Sequence, residues 1–157
     1  MSLERAKAHL KKWGFDKKVH EFDASSATVP LAARALGTKE ERIAKTLSFD
    51  LGERIILIVT AGDAKIDNRK FRDFFSVKAK MLEVSRVEEE VGYDVGGVCP
   101  FGVNEGVDIF LDISMKRFPT IFPACGTASS AVELSPEELE KSTYESQWID
   151  VCKGWEE

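Results

Sequence analysis

The chain has 157 residues, of which 43% are hydrophobic, and a formal net charge of −5. That length suits one domain with a real core, no apolar run approaches the ~20 residues that cross a bilayer, and the acidic balance argues against binding dominated by nucleic-acid phosphate. Cys99, Cys125 and Cys152 are odd in number and widely spaced, so they form neither a disulfide framework nor a metal pair, and free thiols fit a cytoplasmic protein.

The N-terminal run MSLERAKAHLKKW carries an acid and no apolar stretch, unlike a secretory signal. Leu3, Ala6, Leu10 and Trp13 fall at helical spacing, with Gly14 as the stop and His9 on the polar, solvent-facing side. A short strand over Val19–Phe22 follows. Thr28 is placed to cap a helix over Val29–Leu36 that ends at Gly37, and Thr38 with Glu41 has the spacing of a capping box for one more turn.

Strands are expected at Ile43–Leu51 and Arg54–Thr60. Asp67 should cap a helix over Asn68–Phe75 that turns Phe71, Phe74 and Phe75 inward and leaves Arg69 and Arg72 on its surface. Lys78–Leu82 reads as a strand. Ser85 and Glu88 read as a capping box for a helix that stops at Gly92. Val107–Ile113, Ile121–Ala124 and Ala131–Leu134 read as strands, Ser135 and Pro136 open a further helix, and Gln147–Cys152 closes the sheet. No repeat or linker divides the chain. The expected fold is α+β: a single domain over residues 1–157 with a curved, barrel-like mixed sheet and surrounding helices.

Two features carry chemistry. Gly92–Val103, GYDVGGVCPFGV, packs four glycines and a proline among apolar residues, a combination that shapes a loop and brings backbone N–H groups close to a ligand. Lys45 is the second. In Ile43–Asp50 it alternates onto one strand face with Ile43, Leu47 and Phe49, where loss of hydration lowers a lysine pKa and marks a functional candidate. A lysine at a strand mouth that reaches back to solvent is the structural alternative. His20 reads as an ordinary strand residue. Cys99 could serve as a nucleophile with His20 as base, though nothing in the spacing joins them. Two histidines without ligand spacing do not make a metal site. Two basic clusters stand out: Arg5, Lys7, Lys11, Lys12, Lys17 and Lys18, and then Lys65, Arg69, Lys70, Arg72, Lys78 and Lys80.

The segments TVPLAARALG, RIAKTL, AGDAKIDNRK, GYDVGGVCPFG and AVELSPEEL together resemble the YbaK/EbsC (ProX-like) family of free-standing aminoacyl-tRNA deacylases, related to the editing domain of bacterial prolyl-tRNA synthetases. The resemblance implies hydrolysis of the ester joining a wrong amino acid, such as Cys or Ala, to tRNA-Pro. It implies Lys45 as the key residue and a pocket lined by Phe22, Thr46, Gly96, Gly97, Val98, Cys99, Pro100, Phe101 and Gly102. It ties the AGDAKIDNRK segment to the pocket region, and Arg69 and Arg72, which lie off the Phe71, Phe74 and Phe75 face, are the expected tRNA contacts. It calls for no metal and no cofactor, with aminoacyl-tRNA as partner and docking on prolyl-tRNA synthetase as further affinity. Cysteinyl-specific members tend to carry an acid where this chain has Ala131. A non-catalytic tRNA or amino-acid binding module and a thiol-dependent hydrolase acting through Cys99 are the other readings.

Overall fold

The computed structural model describes residues 2–23, 25 and 28–155. Its centre is a five-stranded mixed sheet. Strand β2 (Ile43–Asp50) runs antiparallel to β3 (Ile55–Ala61), which lies parallel to β5 (Asp108–Asp112); β6 (Phe122–Pro123) joins β2 in parallel, and β8 (Gln147–Ile149) joins β5 in parallel. The order is β6-β2-β3-β5-β8, so the sheet is open at both ends and is no closed barrel. Two small ribbons flank it. One pairs β1 (Val19–Glu21) with β7 (Ser130–Val132), the other β4 (Lys65–Ile66) with β9 (Cys152–Lys153).

Ile56, Leu57, Ile58 and Val59 of β3 are all buried, because helices and loops cover both faces of the sheet centre. Helix α1 (Ser2–Lys11) comes first in the chain. Helix α2 (Val29–Leu36) starts at Thr28, whose side chain accepts from the Leu31 N–H, and ends at Gly37 in the left-handed conformation. Helix α3 (Asn68–Phe75) begins where the Asp67 carboxylate accepts from the N–H groups of Arg69 and Lys70. It packs through Phe71, whose ring lies 5.0 Å from Phe49 and 4.6 Å from Phe75. Helix α4 is Val84–Val91, and α5 (Pro136–Lys141) opens on a complete Ser135/Glu138 capping box.

Several local expectations are corrected. Lys78–Leu82 is not a strand: only Met81 bridges, to Phe49. Ser85 does not cap α4, which begins at Val84 with Glu83 before it and no side-chain cap. Thr38 does not cap the single turn Glu40–Arg42, since Lys39 occupies that position. Phe74 is 45% exposed, leaving Phe71 and Phe75 to do the packing. His9 is buried: its Nε2 lies 2.6 Å from the Ser142 carbonyl, and its ring meets Trp13 and Tyr144. The polar side of α1 is covered by the turn after α5, which pattern reading along one helix does not reveal.

Candidate functional site

A cleft of about 340 Å³ opens along β2. Its floor is Ile43 to Ser48; Thr28, Val29 and Ala32 enter from α2, Val87 from α4, Val95, Gly96 and Val98 from the glycine loop, and Phe122, Ala124, Ser130 and Ala131 from β6, β7 and the turn between them. Lys45 is the one charged side chain among the described residues lining it. The lysine is half-buried, and its Nζ donates to the Gly62 carbonyl at 3.5 Å. Burial holds its pKa below the ordinary lysine range, opposed by Cys152 and by Asp63 nearby.

The glycine loop is fastened at its base. Arg5 of α1 donates from Nε to the Gly102 carbonyl at 2.6 Å and from Nη2 to Asn104 Oδ1 at 2.9 Å, and its guanidinium stands 5.3 Å over the Tyr93 ring. The same guanidinium reaches the Gly92 carbonyl at 3.4 Å. Gly92 has φ 108°, and a Cβ there would sit 2.6 Å from Arg5 Nη1, so no side chain fits between loop and clamp. The Tyr93 hydroxyl closes the loop onto the Phe101 carbonyl, and the Asn104 N–H donates to the Val91 carbonyl at 3.0 Å. Within the loop, the single turn Val95–Gly97 is capped back by the Gly97 N–H on the Asp94 carbonyl at 2.8 Å. Gly97 also touches the Gly126 backbone so closely that a Cβ would collide with it.

The expected site residues do not fall in one place. Lys45, Thr46, Gly96 and Val98 lie on the cleft. Gly97, Cys99 and Phe101 are buried behind it, and burial pushes the Cys99 thiol up to about 12. Pro100 and Gly102 line a second cavity of about 740 Å³ with His9, Lys12 and Tyr144. Phe22 does not line the cleft; it packs against Ala32, Ile43, Phe122 and Ala131, the cluster that forms the cleft wall. Arg69 and Arg72 are exposed on α3, outside the cleft.

The cleft residues missed in the sequence include Val29, Ala32, Val87, Phe122, Ala124 and Ser130. They are ordinary apolar or small residues, and only the fold brings them together. Among the described residues, no group of three or more His, Cys, Asp or Glu is placed to hold a metal ion. No helix of the described residues is long and apolar enough to cross a membrane.

Known proteins resemble this chain in sequence and fold. Residues 23–142 match the family described as the aminoacyl-tRNA editing domain. The chain is 51% identical to the uncharacterized protein YwhH of Bacillus subtilis (strain 168) over 157 residues, 99% of this chain and 100% of that protein. It is 29% identical over 138 residues to a proline–tRNA ligase of Geobacillus sp. (strain WCH70), spanning 86% of this chain but 23% of the ligase. A crystal structure described as that of a candidate trans-editing enzyme for prolyl tRNA synthetase superposes with a TM-score of 0.88 at 29% identity, covering 98% of each chain.

Proposed function

The chain belongs to the aminoacyl-tRNA editing domain family, and from that premise we propose that it is a free-standing editing hydrolase, active in the cytoplasm. Its substrate is tRNA-Pro esterified to a small wrong amino acid such as Cys or Ala. The observation that carries this reading is the half-buried Lys45, the single charged side chain on an otherwise apolar cleft beside a fastened glycine loop.

An aminoacyl ester is already activated, so little acid–base machinery is required. Lys45 binds an oxygen of the tRNA terminus or the ester carbonyl, and the main chain of Gly96 and Val98 on the rim offers donors where negative charge develops. A preorganised donor of that kind is worth ~10²–10³ in rate. Water attacks the carbonyl carbon, the ester C–O bond breaks, and the ribose oxygen takes the proton. The apolar walls accept a small side chain and offer no counter-charge to an acidic or basic one. Discrimination by such walls is modest, ~1–3 kcal/mol per methylene, and docking on prolyl-tRNA synthetase supplies a second source of selectivity.

The test is a panel of mischarged tRNAs incubated with the pure protein and with Lys45→Ala. Hydrolysis of a small-residue ester by the wild type, reduced at least ~10²-fold in a folded Lys45→Ala, is the expected result. Binding without hydrolysis would favour the non-catalytic module, and full activity in Lys45→Ala would remove the lysine from the mechanism.

A further inference from the structure

Main-chain N–H and C=O groups of a strand alternate between its two edges. Two hydrogen bonds set the phase in β2. The Asp50 N–H donates to the Lys80 carbonyl at 2.9 Å, and the Ser48 carbonyl accepts from the Leu82 N–H at 3.0 Å. Both bonds are on the edge away from β3, so the even-numbered residues of β2 turn their polar groups outward there. Thr46 is one of them.

That outer edge is covered in two places only. β6 lies beside Ile43 and Ala44, and the chain at Met81 bridges Phe49. Between these points no strand of the described residues runs beside β2. The N–H and C=O of Thr46 therefore open into a notch in the sheet edge, and the notch faces the cleft, since Lys45, Thr46 and Leu47 all line it. The Thr46 hydroxyl lies buried beside it with no hydrogen-bond partner among the described residues. An exposed N–H and C=O pair on a strand edge is a template for another extended main chain. Ala124 on one side and Met81 on the other bound the opening, so it admits one residue of main chain and not a peptide strand.

We infer that the notch at Thr46 is the subsite for the α-amino-acyl unit, with the Thr46 carbonyl accepting from the substrate's α-ammonium and the Thr46 N–H donating to its ester carbonyl oxygen. The amino acid is held as a single added strand residue, its side chain directed to the apolar wall and its carbonyl carbon beside Lys45. This assignment rests on the reading of the cleft as an aminoacyl-ester site. It differs from a size filter because it recognises what every amino acid shares, and it rejects acyl groups that lack the amine.

The test compares tRNA esterified with alanine and tRNA esterified with lactate, which carries the same methyl but a hydroxyl in place of the ammonium. Each enzymatic rate is divided by the spontaneous hydrolysis rate of that ester. Thr46→Pro is measured in parallel on the alanyl ester. Proline removes the outward N–H without breaking a bond to β3, as edge strands tolerate. The lactyl ester is expected to lose about 10–100-fold in normalised kcat/KM, the range for a hydrogen bond to a charged group, and Thr46→Pro a similar factor. Equal normalised rates for the two esters would overturn the notch assignment alone. Failure to hydrolyse any aminoacyl-tRNA in the panel would overturn the functional reading and the notch with it. Should Thr46→Pro fail to fold, the two esters decide the matter by themselves.

Discussion

At the scale of the residue, the role proposed for Lys45 sets function against stability. Burial depresses its pKa. In the window between the folded and unfolded values the unfolded chain binds more protons, so stability rises with pH through that window, and the full cost is present below it. Lys45→Met is therefore expected to abolish deacylation and to raise the melting temperature near neutral pH, with the gain shrinking in alkaline buffer. Thermal melts of both proteins at the two pH values check this; a lower melting temperature for the variant at neutral pH would contradict it. Cys99 is the reverse case, a reactive residue type in an inert setting. It is fully buried, and its thiol is pushed up to about 12, so almost none is thiolate at neutral pH. Cys99→Ser should keep the deacylation rate within a few-fold, and an alkylating reagent should leave the wild type active. A trapped thioester would reverse that conclusion.

At the scale of the element, the glycine loop depends on a helix far away in sequence. Arg5 holds Gly92, Gly102 and Asn104 at once, and these positions bracket the turn that offers Gly96 and Val98 to the cleft. A misplacement of about 1 Å can cost ~10²-fold in rate. Arg5→Met is expected to lower kcat by about 10–100-fold with a smaller change in KM, and Arg5→Lys, which keeps one donor, to recover part of it. Equal kcat for Arg5→Met and wild type would show that the loop holds its shape without the clamp. This dependence is not legible in the sequence, where Arg5 reads as one of several surface cations. Elements with local signals are legible: Thr28 and Gly37 delimit α2, Asp67 opens α3, and Ser135 with Glu138 opens α5. Lys78–Leu82 has a composition that allows a strand, yet it meets β2 only at the isolated Phe49–Met81 bridge and the two main-chain hydrogen bonds that flank it. Lys45 stands out because a charge on an apolar strand face breaks the alternation. The Thr46 notch cannot stand out, since it depends on where β6 stops beside β2, a fact of register between distant segments.

At the scale of the molecule, the two basic clusters separate. In the N-terminal cluster Arg5 grips the loop, Lys7 pairs with Glu21, Lys12 bonds the Tyr144 hydroxyl and Lys18 pairs with Glu138. Arg69 and Arg72 form no ion pair among the described residues, and α3 packs through Phe71 onto Phe49, which shares a strand face with Lys45. We propose that these exposed arginines, rather than the N-terminal cluster, meet tRNA phosphate. Arg69→Ala with Arg72→Ala should reduce the salt slope of tRNA binding by about two units, ~0.9 for each phosphate no longer neutralised, while Lys11→Ala with Lys12→Ala leaves it unchanged. A change confined to the second pair would put the tRNA on the other face; no change in either would favour docking through the synthetase. The strand connections also have a consequence for biosynthesis. β8 completes the sheet beside β5, β9 pairs with β4, and Lys70 reaches Asp150. The neighbourhood of Lys45 is thus assembled from segments translated long after the lysine itself. A nascent chain that has exposed only its first half has no finished cleft, since Val95, Gly96, Val98, Phe122, Ala124, Ser130 and Ala131 all line it.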